Sequence, residues 1–167
     1  MSDLTLPNED LSSTEKFEDA VHLKKGQILF AEGESSAYLY IIVKGKIRVV
    51  KESESRLIPI SIIGNKSFIG ELSMFSDEPR SATAVAEENS DVLMIKKSEI
   101  RKVIKSCPSW VSDIMKTLSE RLRSGIDIMR EHKIEDDEFK IGDELTTEHA
   151  NEIIENIKAY RERRGLN

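Results

Sequence analysis

The chain has 167 residues, of which 38% are hydrophobic and 34% are charged, as is typical of a soluble protein with one domain and short appendages. No stretch approaches the roughly 18 apolar residues of a membrane helix, and the first residues lack the pattern of a secretion signal, so no membrane association is expected. The net charge of −6 disfavours DNA as a partner, because DNA binding usually needs a basic face. The single cysteine, Cys107, cannot form an internal disulfide, which predicts a cytoplasmic location.

Residues 1–20 are interpreted as an acidic N-terminal tail that leads into a short helix. They contain six carboxylates and a single lysine. A Ser-Ser-Thr run at 12–14 is a favourable helix start, and we expect the helix to run through Phe17 and Val21.

Residues 21–107 are predicted to form a β-rich domain. Runs of β-branched and aromatic residues alternate there with glycine-containing turns. Many short strands at close spacing are typical of a small barrel or jelly roll, and Pro59 indicates an edge strand or a bulge. The predicted strands lie at 28–30, 38–43, 47–50, 57–63, 83–86 and 92–95, followed by a short helix at 98–104.

Residues 108–133 are predicted to form one long helix with an apolar seam. Its apolar side chains recur at alternating spacings of four and three, as in a coiled coil. One face of this helix must pack on the β domain, and the remaining apolar surface most simply meets a second copy of the chain. The predicted homodimer seam consists of Val111, Met115, Leu118, Leu122 and Met129.

Two further segments follow the long helix. Residues 134–145 are rich in carboxylates and are interpreted as an acidic linker. Residues 146–165 are predicted to form a last helix, begun by Thr146 and ended by Gly165. Because a lone helix of this length is marginal in water, its apolar face is expected to dock on the body or on a partner, and both remain open. This face consists of Ile153, Ile154, Ile157 and Tyr160.

The polar stretch between the fourth and fifth predicted strands holds the candidate site. Gly70 lets the backbone approach a ligand, and a helical turn beginning at Glu71 would offer amides to an anion. The guanidinium of Arg80 suits a phosphate diester, and the nearby hydroxyls of Ser81 and Thr83 can donate to phosphate oxygens. Glu71 is an acceptor and suits a sugar hydroxyl. An equally simple interpretation is that Glu71 and Arg80 only pair with each other.

The residues Phe-Ile-Gly-Glu-Leu-Ser-Met-Phe at 68–75, closed by Pro-Arg-Ser-Ala-Thr at 79–83, resemble the phosphate-binding cassette of the cyclic-nucleotide-binding domain family. We call these two segments the cassette. The resemblance covers about residues 20–130 and is to catabolite-activator-type transcription factors and kinase regulatory subunits. It implies an α+β fold, namely an eight-stranded antiparallel β-roll (a double-stranded jelly roll) with flanking helices, whose last long helix serves as lid and dimer seam.

The resemblance also implies roles for individual residues. In the family, the glutamate at the position of Glu71 holds the ribose 2′-OH, and the arginine at the position of Arg80 holds the cyclic phosphate. Hydroxyls on the long helix face the base in the activator pattern, and here those positions fall near Gly125 and Ile126, with Ser124 one step away. The predicted ligand-binding set is Gly70, Glu71, Leu72, Arg80, Ser81, Ala82 and Ser124.

These observations predict a regulatory sensor that binds a cyclic nucleotide, with cAMP or cGMP expected and cAMP favoured, and that signals to an unknown protein effector through helix rearrangement. The alternative is an interaction scaffold of the same fold that no longer binds nucleotide. Activators of this type carry a helix-turn-helix after the long helix, whereas only 34 residues follow residue 133 here, so DNA binding is not expected. No catalytic residue, metal or resident cofactor is predicted, because the three histidines lack metal-ligand spacing and no nucleotide-hydrolase glycine motif is found.

Overall fold

The computed structural model describes residues 20–53, 56–75, 78–131 and 145–166, except for the side chains of 129–131. The predicted tail and nearly all of the predicted acidic linker lie outside these residues. The described elements are the strands β1 (Ala20–Leu23), β2 (Ile28–Phe30), β3 (Tyr38–Lys44), β4 (Ile47–Ser53), β5 (Arg56–Ile63), β6 (Phe68–Ile69), β7 (Thr83–Ala86) and β8 (Ser90–Lys96), and the helices α1 (Lys97–Lys105), α2 (Ser109–Glu131) and α3 (Thr147–Arg164).

The strands form two four-stranded sheets with the orders β1-β8-β3-β6 and β2-β7-β4-β5. Every strand pair is antiparallel. Pro59 lies in the edge strand β5, where the register against β4 shifts beside Val50, so an edge position and a bulge both accommodate the proline. The α+β prediction of an eight-stranded antiparallel β-roll with flanking helices is therefore confirmed.

The N-terminal helix was predicted to run through Val21, and this extent is wrong. Ala20 and Val21 belong to β1, where they pair with Leu93 and Val92 of β8. The helix signal is local, whereas the pairing comes from a strand about 70 residues away, and tertiary pairing overrides local propensity.

The core lies between the two sheets, and a second apolar cluster lies outside them. Along β7, Ala84 and Ala86 face the core between the sheets, while Val85 faces outward, as the alternation of side chains along a strand requires. The outward cluster is completed by α3, which buries Ile153, Ile157 and Tyr160 against it. Of the two docking options left open by the sequence, the structure shows the body.

The long helix α2 leaves much of its apolar surface exposed. Leu118 and Leu122 of the predicted seam are exposed, whereas Val111 and Met115 are half-buried, and the Met129 side chain lies outside the described part. The exposed apolar stripe of α2 therefore consists of Leu118 and Leu122 together with Trp110, Ile114 and Ile128. Among the helices described, none combines the length and hydrophobicity of a membrane span.

Candidate functional site

The guanidinium of Arg80 lies at the centre of the site and is buried, with 4% of the residue exposed. Its Nη1 donates to the Gly70 carbonyl at 3.1 Å, and its Nη2 donates to the Tyr38 carbonyl at 2.6 Å. The ring centres of Phe30 and Tyr40 lie 4.1 Å and 5.5 Å from its central carbon, within the range of cation–π attraction. Burial lowers the pKa of Arg80 from its usual value.

The backbone of Arg80 is fixed by the turn at residues 32–34, between β2 and β3. The Gly33 amide donates to the Arg80 carbonyl at 2.9 Å, and the Arg80 amide donates to the Glu34 carbonyl at 2.9 Å. This pair of hydrogen bonds sets the direction from which the arginine side chain enters the site.

The positive charge of Arg80 has no counter-charge in direct contact among the described residues. The predicted alternative, an ion pair between Glu71 and Arg80, is not formed there, because the guanidinium bonds to two carbonyls instead. Its buried Nε has no hydrogen-bond partner in that part of the chain. Against the effect of burial, the carboxylates of Glu34 and Glu71 raise the pKa of Arg80 from a longer distance. A buried cation whose direct contacts are neutral groups is energetically suited to receive an anion.

Both the backbone conformation at residue 70 and the close approach of the Arg80 side chain require a glycine there. Its φ of 92° lies in the left-handed region, which side chains disfavour. A Cβ at this position would also collide with Nη1 of Arg80. Gly70 directly precedes a short 3₁₀ turn over Glu71–Ser73. Because the Gly70 carbonyl accepts from the Arg80 guanidinium, the turn begins beside that group.

A cavity of about 110 Å³ opens beside Arg80. Its walls come from the strands β2, β4 and β5, from the cassette and from Ile126 of α2. The cavity brings together six of the seven predicted site residues: Gly70, Glu71, Leu72, Arg80, Ser81 and Ala82.

Ser124, the seventh predicted residue, does not line the cavity. It is exposed, and its hydroxyl donates to the Glu120 carbonyl at 3.0 Å. Ile126 takes the helix position that faces the site, and residues two apart on a helix point about 200° apart. α2 therefore contributes Ile126 to the cavity wall, and the role of Ser124 as a base contact stays a prediction.

Thr83 was also expected to face a phosphate, and the structure places its hydroxyl elsewhere. It donates to Oε1 of Glu52 at 2.8 Å and accepts from the Glu32 amide at 2.8 Å. Only Ser81 of the two hydroxyl residues lines the cavity.

The sequence interpretation missed Lys51, which joins three parts of the site. Its buried ammonium donates to the Ser81 carbonyl at 2.7 Å and lies 2.9 Å from Oε1 of Glu32 and 3.2 Å from Oδ1 of Asp127. β4, the cassette and α2 are thereby connected. No local signal marks this lysine, because its partners are distant in the chain. The aromatic rings of Phe30 and Tyr40 were missed for the same reason.

A second contact ties α2 to the cassette. Nη2 of Arg123 donates to the Pro79 carbonyl at 3.0 Å, and its Nε pairs with Glu78. Together with the pair between Lys51 and Asp127, this contact holds α2 across the cavity. Within the described residues, no cluster of histidine, cysteine and carboxylate side chains has the arrangement of a metal site.

Comparison with known protein families agrees with this geometry. The family model described as the cyclic nucleotide-binding domain matches residues 20–107, which span all eight strands and α1. The chain belongs to the cyclic nucleotide-binding domain family. The matched segment is a regulatory domain, and α2 and α3 lie beyond it.

Two curated relatives carry this domain in different proteins. A CRP-like cAMP-activated global transcriptional regulator of Mycobacterium tuberculosis is 30% identical over 104 residues, which cover 62% of this chain and 46% of the relative. Human cGMP-dependent protein kinase 2 is 29% identical over 92 residues, which cover 54% of this chain and 12% of the kinase. The chain thus matches less than half the length of either relative.

A solved structure shows the same arrangement of strands. The EAL enzyme Bd1971 in its cAMP-bound form superimposes with a TM-score of 0.60 at 29% identity, over 69% of this chain and 32% of the enzyme. The domain thus occurs beside transcription, kinase and EAL functions, which is typical of a regulatory module.

Proposed function

We propose that this protein is a regulatory module that binds a cyclic mononucleotide, cAMP in first place and cGMP in second, and that reports occupancy to a protein partner through movement of α2. The observation that carries the proposal is the buried Arg80, which lines the cavity. Among the described residues, no carboxylate contacts its guanidinium, which bonds to two backbone carbonyls. The names of the similar proteins, one cAMP-activated, one cGMP-dependent and one with cAMP bound, support a cyclic nucleotide as the anion.

The predicted site residues in the cavity wall suit the phosphate and the ribose of a cyclic nucleotide. Arg80 and the hydroxyl of Ser81 bind the cyclic phosphate, assisted by amides of the turn after Gly70. Glu71 accepts the ribose 2′-OH, because a carboxylate suits a hydroxyl donor and repels a phosphate. Leu72 and Ala82 supply apolar contact around the sugar. The roles combine an anion site and a hydroxyl site within one small cavity.

The size of the cavity links binding to α2. Its volume of about 110 Å³ is below the roughly 300 Å³ at which small-molecule sites usually begin. Ile126 is the α2 side chain in the wall, so an outward shift of α2 enlarges the space. A nucleotide that fits only the enlarged cavity shifts the population towards the moved helix.

The exposed stripe of α2 is the surface through which a shift of this helix reaches a binding partner. Ile114, Leu118 and Leu122 recur every four residues and remain exposed, and continuous apolar surface of this kind marks an interaction site. We assign it to a second copy of the chain, in a two-fold symmetric dimer through α2, so that nucleotide binding in either copy alters the shared helix pair.

The test is calorimetric titration of cAMP and cGMP into the wild type and Arg80→Gln. We expect the substitution to weaken binding roughly 10- to 100-fold, the range for lost hydrogen bonds to a charged group. Lys158→Gln removes the same charge from an exposed position and should leave the affinity unchanged. Circular dichroism establishes that both variants fold.

Two outcomes would contradict the proposal. Equal affinities of the wild type and Arg80→Gln would place the nucleotide elsewhere. A wild type that binds neither nucleotide, and that carries none through purification, would favour the interaction scaffold.

A further inference from the structure

Three polar side chains of α3 hold the turn at residues 32–34. The Tyr160 hydroxyl donates to Oε2 of Glu34 at 2.9 Å, and Nη2 of Arg164 donates to Oε1 of the same carboxylate at 3.1 Å. Nη2 of Arg161 donates to the Glu32 carbonyl at 3.1 Å. The helix therefore contacts this short turn through one backbone group and one carboxylate.

The same turn fixes Arg80. Glu34 uses its backbone carbonyl to accept from the Arg80 amide, and Gly33 donates to the Arg80 carbonyl. The Glu34 carboxylate also accepts from the Ala31 amide at 3.1 Å, and its side chain is only 13% exposed. One residue thus connects α3 on one side with the phosphate-site arginine on the other.

A second set of contacts connects α3 to Thr83, at the C-terminal end of the cassette. Nη2 of Arg161 lies 3.0 Å from Oε1 of Glu52, and this oxygen accepts from the Thr83 hydroxyl. Thr83 is fully buried and lies three residues after Arg80. The hydroxyl that was expected to face the ligand therefore anchors the segment that carries Arg80.

The apolar face of α3 is buried beside this network, in which the Glu34 side chain is 13% exposed and the Arg164 side chain is 57% exposed. Ile153, Ile157 and Tyr160 are buried against the second sheet, and burial is the main reason that the pKa of Tyr160 is raised. The phenol thus remains a neutral donor at physiological pH. Partly buried hydrogen bonds to carboxylates are costly to lose, because the remaining partner stays desolvated.

We propose that α3, which lies outside the family-matched residues 20–107, is a positioning element of the nucleotide site, and that Tyr160, Arg161 and Arg164 set the affinity by fixing the turn that holds Arg80. The inference rests on the proposed function for its ligand. By linkage, whatever detaches α3 weakens nucleotide binding, and bound nucleotide strengthens the attachment of α3 by the same factor.

The first experiment measures the dissociation constant of cAMP in the full chain. Arg161→Gln and Tyr160→Phe should each weaken binding on the order of tenfold, within the usual range of coupling between sites. Arg161→Lys retains a cation and should restore part of the loss. Lys158→Gln is the matched control, because it removes a charge from α3 where the lysine pairs only with the exposed Glu155 among the described residues, and it should bind as the wild type does.

The second experiment needs no nucleotide. Amide hydrogen exchange at Gly33 and Arg80, whose amides bond across the turn, should accelerate in Arg161→Gln and Tyr160→Phe. Exchange in β8 should stay unchanged, as should every amide in Lys158→Gln. Local acceleration would show that α3 positions the turn, which a general loss of stability would not reproduce.

The outcomes separate this inference from the proposed function. If the wild type binds neither cAMP nor cGMP, the proposed function fails, while exchange at Gly33 and Arg80 still decides whether α3 holds the turn. Unchanged exchange and unchanged affinity in both variants would overturn the inference. Acceleration that extends equally into β8 in both variants would also overturn it, because α3 would then only stabilise the fold as a whole.

Discussion

The helices α2 and α3 meet the β-roll in opposite ways. α3 buries its apolar residues, and Ile153 is fully enclosed. α2 leaves Leu118 49% exposed and Leu122 58% exposed. The apolar face of α3 is thus satisfied within the chain, whereas that of α2 is only partly covered by it.

Their polar contacts do not follow this division. The ion pair of α3 joins Arg164, whose side chain is 57% exposed, to Glu34, whose side chain is 13% exposed. The ion pair of α2 joins Asp127, whose side chain is 43% exposed, to Lys51, whose side chain is 6% exposed, and partly exposed ion pairs contribute little to stability. The difference between the helices therefore lies in their apolar faces, and it indicates that α3 belongs to the framework of the site, whereas α2 is the helix that can shift at lower cost.

The largest expected effect comes from truncating each helix at its apolar face. Ile153→Ala should lower the free energy of unfolding by about 2–5 kcal/mol, as is usual for a buried isoleucine. Leu118→Ala should change it by less than about 0.5 kcal/mol in the monomer, because the side chain is half exposed. Urea denaturation at low protein concentration measures both. Equal losses would remove the distinction between the helices.

A charge introduced into the exposed stripe tests whether α2 forms the proposed dimer contact. Leu118→Glu should weaken the proposed dimer at least about tenfold, since an apolar contact is lost and a charge is buried. Lys116→Gln makes the same change in charge about 200° around the helix and should leave the dimer intact. Sedimentation equilibrium measures both. A wild type that is monomeric at high concentration would refute the seam.

The smallest expected effect concerns acid stability near the start of α3. The hydrogen bond from Arg48 holds the pKa of Glu87 below its usual value, and His149 of α3 lies 4.0 Å from the same carboxylate. A carboxylate with a lowered folded-state pKa stabilises the fold above its unfolded pKa, near 4.5, and loses that contribution as the pH falls through the folded value.

Glu87→Gln should therefore flatten the dependence of stability on pH in this acidic range. Denaturation midpoints collected from pH 7 downwards measure the slope. Glu155→Gln removes a carboxylate from the exposed side of α3 and serves as the control. A slope that is the same in Glu87→Gln and the wild type would contradict the assignment.

The sequence was sufficient for the features that depend on neighbours along the chain. Glycine turns and β-branched runs predicted a small barrel or jelly roll, and the resemblance of residues 68–75 and 79–83 to the phosphate-binding cassette implied the six residues that meet at the cavity. These signals are local, because strand alternation and turn conformation are decided within a few residues.

The features that depend on distant partners were not predictable in the same way. Ser124 and Ile126 differ only in the rotation of α2, which is set by packing on the body. The choice between body and partner for α3 depended on an outward-facing cluster that includes Val85. Lys51 resembles any other strand lysine until the fold brings Glu32 and Asp127 to it.

Lys51 also makes the attachment of α2 sensitive to a nearby anion. Its ammonium donates to the Ser81 carbonyl and forms ion pairs with Glu32 and Asp127. Asp127 is the more exposed of the two carboxylates and so regains water more readily when released. We expect an anion that competes for Lys51 to displace Asp127 first, and with it this attachment of α2.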